Sequence, residues 1–142
     1  MAVDVYFNFD GNCREAVEFY ADVFNTEAPQ IMTFGEAPPN PEYKLPKEAK
    51  DLVMHARINI NGSNVMFSDV FPGTPYIQGN NITLAFVSTD LDEIKSVFHK
   101  LKEGGTVHME LQETFWSKCY GNVKDRFGTE WQVSHDSGQS AM

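Results

Sequence analysis

The sequence predicts an α+β fold made of two tandem β-α-β-β-β modules, with a curved mixed sheet around a cleft and the helices on its convex face. Three observations lead to this fold class. Strand-like alternation precedes an amphipathic helix twice, further strand patterns follow each helix, and strong hairpin turns separate the later strands. A chain of 142 residues can bury a real core. We expect one domain over residues 1–142, with modules at 1–72 and 78–136.

The first module begins with a strand and a helix. Apolar residues alternate over residues 3–9, which is typical of a half-buried strand. Asn12 is expected to cap the helix that follows, with Glu15 three residues later to complete a capping box. The dipeptide Asn61-Gly62 predicts a type I′ hairpin between the last two strands. The later strands of this module are predicted at 27–34, 53–60 and 64–70.

The second module repeats this pattern. A strand at 82–87 leads to a helix that begins at Asp90, with Glu93 three residues later, so the capping signal of the first module recurs. The last two strands form a hairpin whose bend ends at Gly128, because glycine readily takes the positive φ of a tight turn. The later strands of this module are predicted at 106–111, 116–123 and 129–135.

Two segments lie outside the repeat. Residues 35–50 hold most of the chain's seven prolines and are long for a loop in a compact domain. This segment is either a lid or binding loop, or a plain variable insertion. The polar tail at 136–142 is expected to fray.

Composition excludes several classes of partner. The formal net charge of −9 argues against nucleic acid and anionic membranes, because both need a basic protein surface. There is no apolar run near the ~20 residues that a membrane span requires. Cys13 and Cys119 are the two cysteines, and no secretory segment precedes them, so we expect a cytoplasmic protein.

Several short motifs, spread over nearly the whole chain, carry a family resemblance. They are Phe-Asp-Gly-Asn-Cys-Arg-Glu-Ala at 9–16, Met-His-Ala at 54–56, Gln-Glu-Thr-Phe-Trp at 112–116 and Asp-x-Phe-Gly at 125–128. With these motifs the chain resembles the PhnB-like proteins of the vicinal-oxygen-chelate superfamily, which includes glyoxalase I, extradiol dioxygenases and bleomycin-resistance proteins. The Gln-Glu-Thr-Phe-Trp motif is the most specific of them.

The resemblance implies where a metal would bind. Metal enzymes of the superfamily take His and Glu ligands mostly from the first and last strands of each half. No histidine stands at these places here, and Gln132 falls where a Glu ligand is expected, so we predict no metal and no other cofactor. Some relatives carry a name that implies ubiquinone methylation, yet the sequence lacks the usual glycine-rich turn for S-adenosylmethionine. The residues at these places are Tyr6, Asn8, Ser68, Asp69, Ile82, Thr83, Leu84, Glu130 and Gln132.

Five residues are candidates for a binding site. His55 and Arg57 share one face of their strand, opposite the apolar residues, and both suit an anionic or carbonyl ligand; such a face can also be merely solvated. Trp116 and Tyr120, with neighbouring Phe115, would form an aromatic wall, or else ordinary hairpin core. Glu113 beside these rings could act as a base, although such a residue is often exposed or paired. We expect one pocket with Glu113 near its rim.

Three functional hypotheses follow from these patterns and the resemblance. In the first, the protein binds a small organic molecule, possibly anionic, in a cleft between the two half-sheets, with or without turning it over. In the second, it is a metal-dependent lyase, isomerase or dioxygenase whose ligands lie elsewhere. In the third, it is a structural or regulatory homodimer without a ligand. A homodimer is expected in each case, because both modules expose sheet edges.

Overall fold

Two units make up the chain in this computed structural model, Met1–Ile77 and Gln78–Met142. The structure describes residues 2–137. The tail predicted to fray therefore lies, from residue 138 onward, outside the described residues. Each unit has the predicted order of one strand, one helix and three strands, and each forms its own four-stranded mixed sheet.

The elements of the first unit are β1 (Val5–Phe9), α1 (Cys13–Val23), β2 (Gln30–Thr33), β3 (Val53–Ile60) and β4 (Ser63–Asp69). Its strands form a sheet with the order β1-β4-β3-β2. Its outer strand β1 runs parallel to β4, and the other neighbours are antiparallel. The strand predicted at 27–34 is shorter, because Pro29 precedes it and a 3₁₀ turn begins at Phe34.

Aromatic stacking joins α1 to this sheet. The centroid of the Phe7 ring lies 5.2 Å from that of the Phe67 ring and 5.4 Å from that of the Tyr20 ring, which belongs to the helix. On β3, Ala56 and Ile58 are buried beneath α1 whereas Arg57 is exposed. The strand parity predicted for β3 is therefore confirmed, and Arg57 lies on the face of the sheet that carries no helix.

The capping box predicted for α1 is wrong. Asn12 makes no side-chain capping hydrogen bond. Instead Asp69, at the end of β4, accepts from the backbone N–H groups of Gly11 and Cys13 at 2.9 and 3.0 Å through Oδ1, and from Val53 at 2.9 Å through Oδ2. The charged Asp69 carboxylate therefore caps the start of α1, a role that a side chain next to the helix in sequence usually has.

The elements of the second unit are β5 (Leu84–Ser88), α2 (Leu91–Leu101), β6 (Thr106–Gln112), β7 (Tyr120–Lys124) and β8 (Glu130–His135). The strand order of its sheet is β5-β8-β7-β6, with β5 parallel to β8. Its predicted helix cap is present, since the Asp90 carboxylate accepts from the N–H groups of Asp92 and Glu93. The hairpin bend has the predicted positive φ at Gly128, +89°.

The outgoing strand of that hairpin starts later than predicted. It begins at Tyr120 rather than at residue 116, because a turn from Thr114 to Ser117 occupies the intervening segment. Within the strand, Gly121 packs directly against α2, and a Cβ atom there would lie 2.7 Å from Phe98 Cε1. The close approach of helix and sheet therefore requires glycine at this position.

The long segment after β2 has contacts of its own. The Phe71 ring lies 5.4 Å from Phe34 and 6.0 Å from Tyr43. A second 3₁₀ turn, Lys47–Ala49, leads into β3. These contacts leave both interpretations of residues 35–50 open. Among residues 2–137, no helix has the length and apolar character needed to cross a bilayer.

Candidate functional site

A cavity of about 260 Å³ lies on the helix-free face of the second sheet. Alternate residues of β7 and β8 point there, since Val123 and Val133 on the other face are buried. Polar side chains dominate its lining. The lining residues are Thr83, His108, Tyr120, Asn122, Glu130, Trp131 and Gln132.

Four of these side chains form two hydrogen-bonded pairs. The Tyr120 hydroxyl donates to Gln132 Oε1 at 2.6 Å. His108 Nε2 lies 3.0 Å from Glu130 Oε1. His108 belongs to β6 and Glu130 to β8, so this second pair reaches across β7, at a point where the β6 register shifts between Val107 and Met109. Such a bulge can re-aim a side chain, and here His108 is directed toward the cavity.

The turn before β8 fixes the position of Glu130. Asp125 is 3% exposed, and its Oδ1 atom accepts from the N–H groups of Phe127 and Thr129 at 2.8 and 3.1 Å. Its Oδ2 atom accepts from Trp131 Nε1 at 2.9 Å. Asp125 therefore shapes the turn, and both neighbours of Glu130 donate hydrogen bonds to the same buried carboxylate.

Three aromatic rings form a chain of contacts at the start of β7. The Trp116 ring lies edge-on to Tyr120 at 5.2 Å and to Phe115 at 4.7 Å. Phe115 is 95% exposed and Trp116 is 38% exposed, so neither side chain belongs to a buried hairpin core. Buried Ser117 anchors the loop, because its single hydroxyl hydrogen is shared between the backbone oxygens of Cys119 and His135, at 3.0 and 2.9 Å from Oγ.

The five candidates predicted from sequence belong to different units. Tyr120, Trp116 and Glu113 are in the second unit, and Glu113 is exposed just after β6. His55 and Arg57 are on the helix-free face of the first sheet.

In the first unit each of the two residues has its own neighbours. The His55 ring lies 6.0 Å from the Tyr6 ring. Arg57 Nη2 lies 3.5 Å from Gln30 Oε1. The Arg57 side chain also lines a second cavity, of about 500 Å³. That second cavity is also lined by Asn25, Thr26, Glu27, Ala28, Gln30, Ile58, Asn59 and Asn61.

The donors at the superfamily's metal positions do not fit a transition metal. Asp69 already accepts three backbone N–H groups, and Gln132 accepts from Tyr120. Glu130 is paired with His108. Within residues 2–137, no group of three or more His, Cys, Asp or Glu side chains is placed to hold a metal ion. A zinc or iron site needs several such donors at about 2.0–2.3 Å.

Cys13 is not a nucleophile of this fold. Burial, as the larger cause, and the nearby Asp69 carboxylate together raise the pKa of its thiol to about 12, although Arg14 lowers it in part. The side chain is fully buried at the start of α1. Because the thiolate is the reactive form, Cys13 is a packing residue.

Sequence reasoning missed the pairing of His108 with Glu130. The alternation of residues 107–109 does place His108 opposite the apolar face, and that signal was available. The sequence gives no signal that Glu130 is the partner of His108, because β6 and β8 are not neighbours in the sheet and the bulge has no clear sequence signature.

Comparisons with known proteins agree with this architecture. A family model described as 3-demethylubiquinone-9 3-methyltransferase matches residues 2–134. Protein YjdN of Escherichia coli (strain K12) is 32% identical over 149 residues, covering 94% of this chain and 95% of that protein. The solved structure of PA1353 from Pseudomonas aeruginosa has a TM-score of 0.79 at 32% identity, covering 95% of this chain and 98% of that one.

Two further structures define the family and the wider fold. The PhnB protein from Bacillus cereus has a TM-score of 0.75 at 26% identity, covering 96% of this chain and 100% of that one. A glyoxylase/bleomycin resistance protein/dioxygenase domain from Frankia sp. EAN1pec shares the fold alone, with a TM-score of 0.64 at 10% identity over 95% and 96% of the two chains. The predicted resemblance to the PhnB-like proteins is therefore confirmed, and the chain belongs to the family described as 3-demethylubiquinone-9 3-methyltransferase.

Proposed function

We propose that this protein binds a small organic molecule on the helix-free face of its second sheet. The observation that supports this most directly is the cavity lined by the Tyr120–Gln132 and His108–Glu130 pairs. Ligand sites typically combine an apolar wall with a few fixed polar groups. Trp116, packed on the Tyr120 ring, supplies an aromatic surface next to those groups.

The lining indicates what kind of molecule fits. The side-chain amides of Asn122 and Gln132 can donate to ligand oxygens, and the Tyr120 hydroxyl can also accept. A volume of about 260 Å³ lies just below the ~300–1,000 Å³ range of most small-molecule sites, so the ligand is a compact metabolite. An oxygen-rich molecule with one planar apolar part matches these groups best.

Methyl transfer, which the family description implies, has less support. The first strand-to-helix connection contains a single glycine, Gly11, and its N–H group donates to Asp69 Oδ1. The N–H of Cys13 at the helix start donates to the same atom. A cofactor that binds such a connection needs these donors for itself.

The first sheet carries two further candidate ligand-binding residues. Arg57 and His55 lie on its helix-free face and can supply a charged group to an anionic ligand. If Arg57 contacts the ligand, Arg57→Ala should weaken binding by about 1–3 kcal/mol, the usual worth of a charged hydrogen bond. An unchanged affinity would assign the ligand to groups of the second sheet alone.

A thermal-shift screen tests the proposal. The protein is heated with aryl phosphonates, glutathione thioethers and aromatic antibiotics, each at 1 mM or above. A ligand present at 100 times its Kd stabilises the fold by about 2.7 kcal/mol, which gives a rise in Tm of several degrees. No rise with any member of the three classes would contradict the proposal and favour a structural role.

A matched pair of variants locates the site. Tyr120→Phe removes the hydroxyl group that bonds Gln132, and we expect affinity for a screening hit to fall about fivefold to tenfold, the worth of one hydrogen bond. Tyr76→Phe removes a hydroxyl that donates to Asn8 O in the first unit, and it should leave affinity unchanged. Equal effects of the two substitutions would place the ligand elsewhere.

A further inference from the structure

The His108–Glu130 pair is more than a polar lining. The Nε2–Oε1 distance of 3.0 Å is that of a good hydrogen bond, and the Glu130 side chain is 16% exposed against 47% for His108. The carboxylate is therefore the inner partner and the imidazole the one nearer the solvent. Both side chains line the same cavity.

The fold holds this pair in place from both sides. Glu130 lies between Thr129 and Trp131, and both of these donate to the buried Asp125 carboxylate. His108 lies at the β6 bulge, which turns its ring toward β8. Two groups fixed by backbone and buried contacts are pre-organised for chemistry, since little ordering remains to be done when a ligand arrives.

We propose that His108 is a general base, oriented by Glu130, which moves a proton on a carbonyl compound bound in this cavity. The proposal rests on the proposed function, because the cavity must first bind the compound. An ionised carboxylate only accepts hydrogen bonds, so it holds the neutral imidazole with the proton on Nε2 and the lone pair on Nδ1. It also stabilises the imidazolium once Nδ1 has taken a proton.

The step is proton abstraction next to a carbonyl group. The C–H bond breaks and its electron pair forms the C=C bond of an enolate, while the carbonyl π pair moves onto oxygen. The proton goes to His108 Nδ1. The amide groups of Asn122 and Gln132 line the same cavity as donors for the enolate oxygen. Return of a proton from Nδ1 to carbon restores the carbonyl compound, so neither oxidant nor reductant is needed.

This chemistry defines the substrate class as small carbonyl compounds with a hydrogen on the adjacent carbon. In D₂O the imidazolium exchanges its proton with solvent, and the carbon receives deuterium. Exchange of that hydrogen is therefore a direct readout, even when the natural compound is unknown. Hydroxyacetone tests the polar part of the cavity, and phenylacetone adds a ring that Trp116 can cover.

The experiment follows loss of the ¹H signals of both probes in D₂O at pH 7.5. We expect the wild-type protein to accelerate exchange of at least one probe over buffer. His108→Gln keeps a donor for Glu130 and removes the base, so the acceleration should fall about 100-fold or more. Glu130→Gln should lose at least tenfold. His99→Gln, an exposed histidine on α2, is the matched control and should keep full activity.

Binding is measured separately, from shifts of the backbone amide signals of β7 and β8. If a probe binds but no exchange exceeds that of buffer, the proposal is overturned and the proposed binding function stands. If neither probe binds, this substrate class is wrong, and the wider thermal-shift screen alone decides the binding function. Exchange that persists in His108→Gln would show that another group is the base. Exchange lost from both variants with binding retained supports the proposal.

Discussion

The indole Nε1 of Trp131 donates a hydrogen bond to Asp125 Oδ2, 2.9 Å away, across the turn that joins β7 to β8. Both residues are buried, at 5% and 3% exposure. The same carboxylate accepts from two backbone N–H groups of the turn. One side chain thus connects the hairpin bend to the core and also sets the backbone on either side of Glu130.

Asp125→Ala should be strongly destabilising. It leaves three donors without their acceptor, and each buried donor left unsatisfied costs about 1–3 kcal/mol. We expect chemical denaturation to show a loss of about 3 kcal/mol or more. The exposed Asp51→Ala is the control and should stay within about 0.5 kcal/mol of wild type. A loss below about 1 kcal/mol for Asp125→Ala would mean that water replaces the carboxylate.

Asp69 has the corresponding structural role in the first unit. Because it joins the start of α1 to the start of β3, Asp69→Ala should release the N–H groups of Gly11, Cys13 and Val53 together. We expect the free energy of unfolding to fall by about 3 kcal/mol or more. Hydrogen exchange at these three amides should be faster than at the other amides of β3. Asp69→Asn should lose less, since it keeps one oxygen acceptor. Equal losses for the two substitutions would contradict this role.

The fold was predictable because its signals are local. Alternation over β3 and the Asn61-Gly62 pair gave a hairpin, and the structure has positive φ at both turn residues, 49° and 94°. The cap of α1 was not predictable, since Asp69 lies 58 positions from Gly11 along the chain. A sequence pattern favours the nearest polar residue, Asn12, whereas the folded chain brings a stronger acceptor from β4.

The same distinction applies to the candidate site. Tyr120 and Trp116 were found because they are close in sequence and both aromatic. The contact of Tyr120 with Gln132 on β8 depends on sheet register, and the pairing of His108 with Glu130 depends on where the register of β6 shifts. Whether His55 and Arg57 act together with these residues stays a prediction.

Trp116→Ala should affect binding more than folding. A buried large aromatic costs about 3–5 kcal/mol on truncation, but Trp116 is 38% exposed, so we expect a loss below about 2 kcal/mol. Ligand affinity should fall, because the ring covers the apolar part of the ligand. Trp131→Ala, at a buried position, is the contrasting variant and should lower the free energy of unfolding by the full amount of about 3–5 kcal/mol. Similar stability losses for the two would show that Trp116 is part of the core.

Stability at alkaline pH should depend on Cys13. Its folded pKa is about 12 against an ordinary value of 9.0, so above pH 9 the unfolded chain loses a proton that the folded chain retains. The folded state is therefore destabilised as the pH rises from 9 toward 12. Between pH 8 and pH 10 this amounts to about 1 kcal/mol. Urea denaturation of wild type and Cys13→Ala at both values should differ by that amount in their pH dependence, and identical slopes would refute it.

The protein should form a homodimer in solution. Each sheet has two edge strands, β1 and β2 in the first and β5 and β6 in the second, and unpaired edges favour association. Near the β5 edge, Ile82 is 71% and Val87 51% exposed, which adds apolar surface for a two-fold contact. Light scattering should give twice the 16.0 kDa monomer mass.

Substitutions at that edge test where the contact lies. Val87→Lys places a charge beside β5 and should weaken the dimer, lowering the mass on dilution, because a desolvated lysine without a partner opposes association. Leu91→Lys changes an exposed apolar residue at the start of α2 and should leave the mass unchanged. A wild-type mass that stays at 16.0 kDa at high protein concentration would rule out the dimer. A dimer that tolerates Val87→Lys would place the contact on another edge.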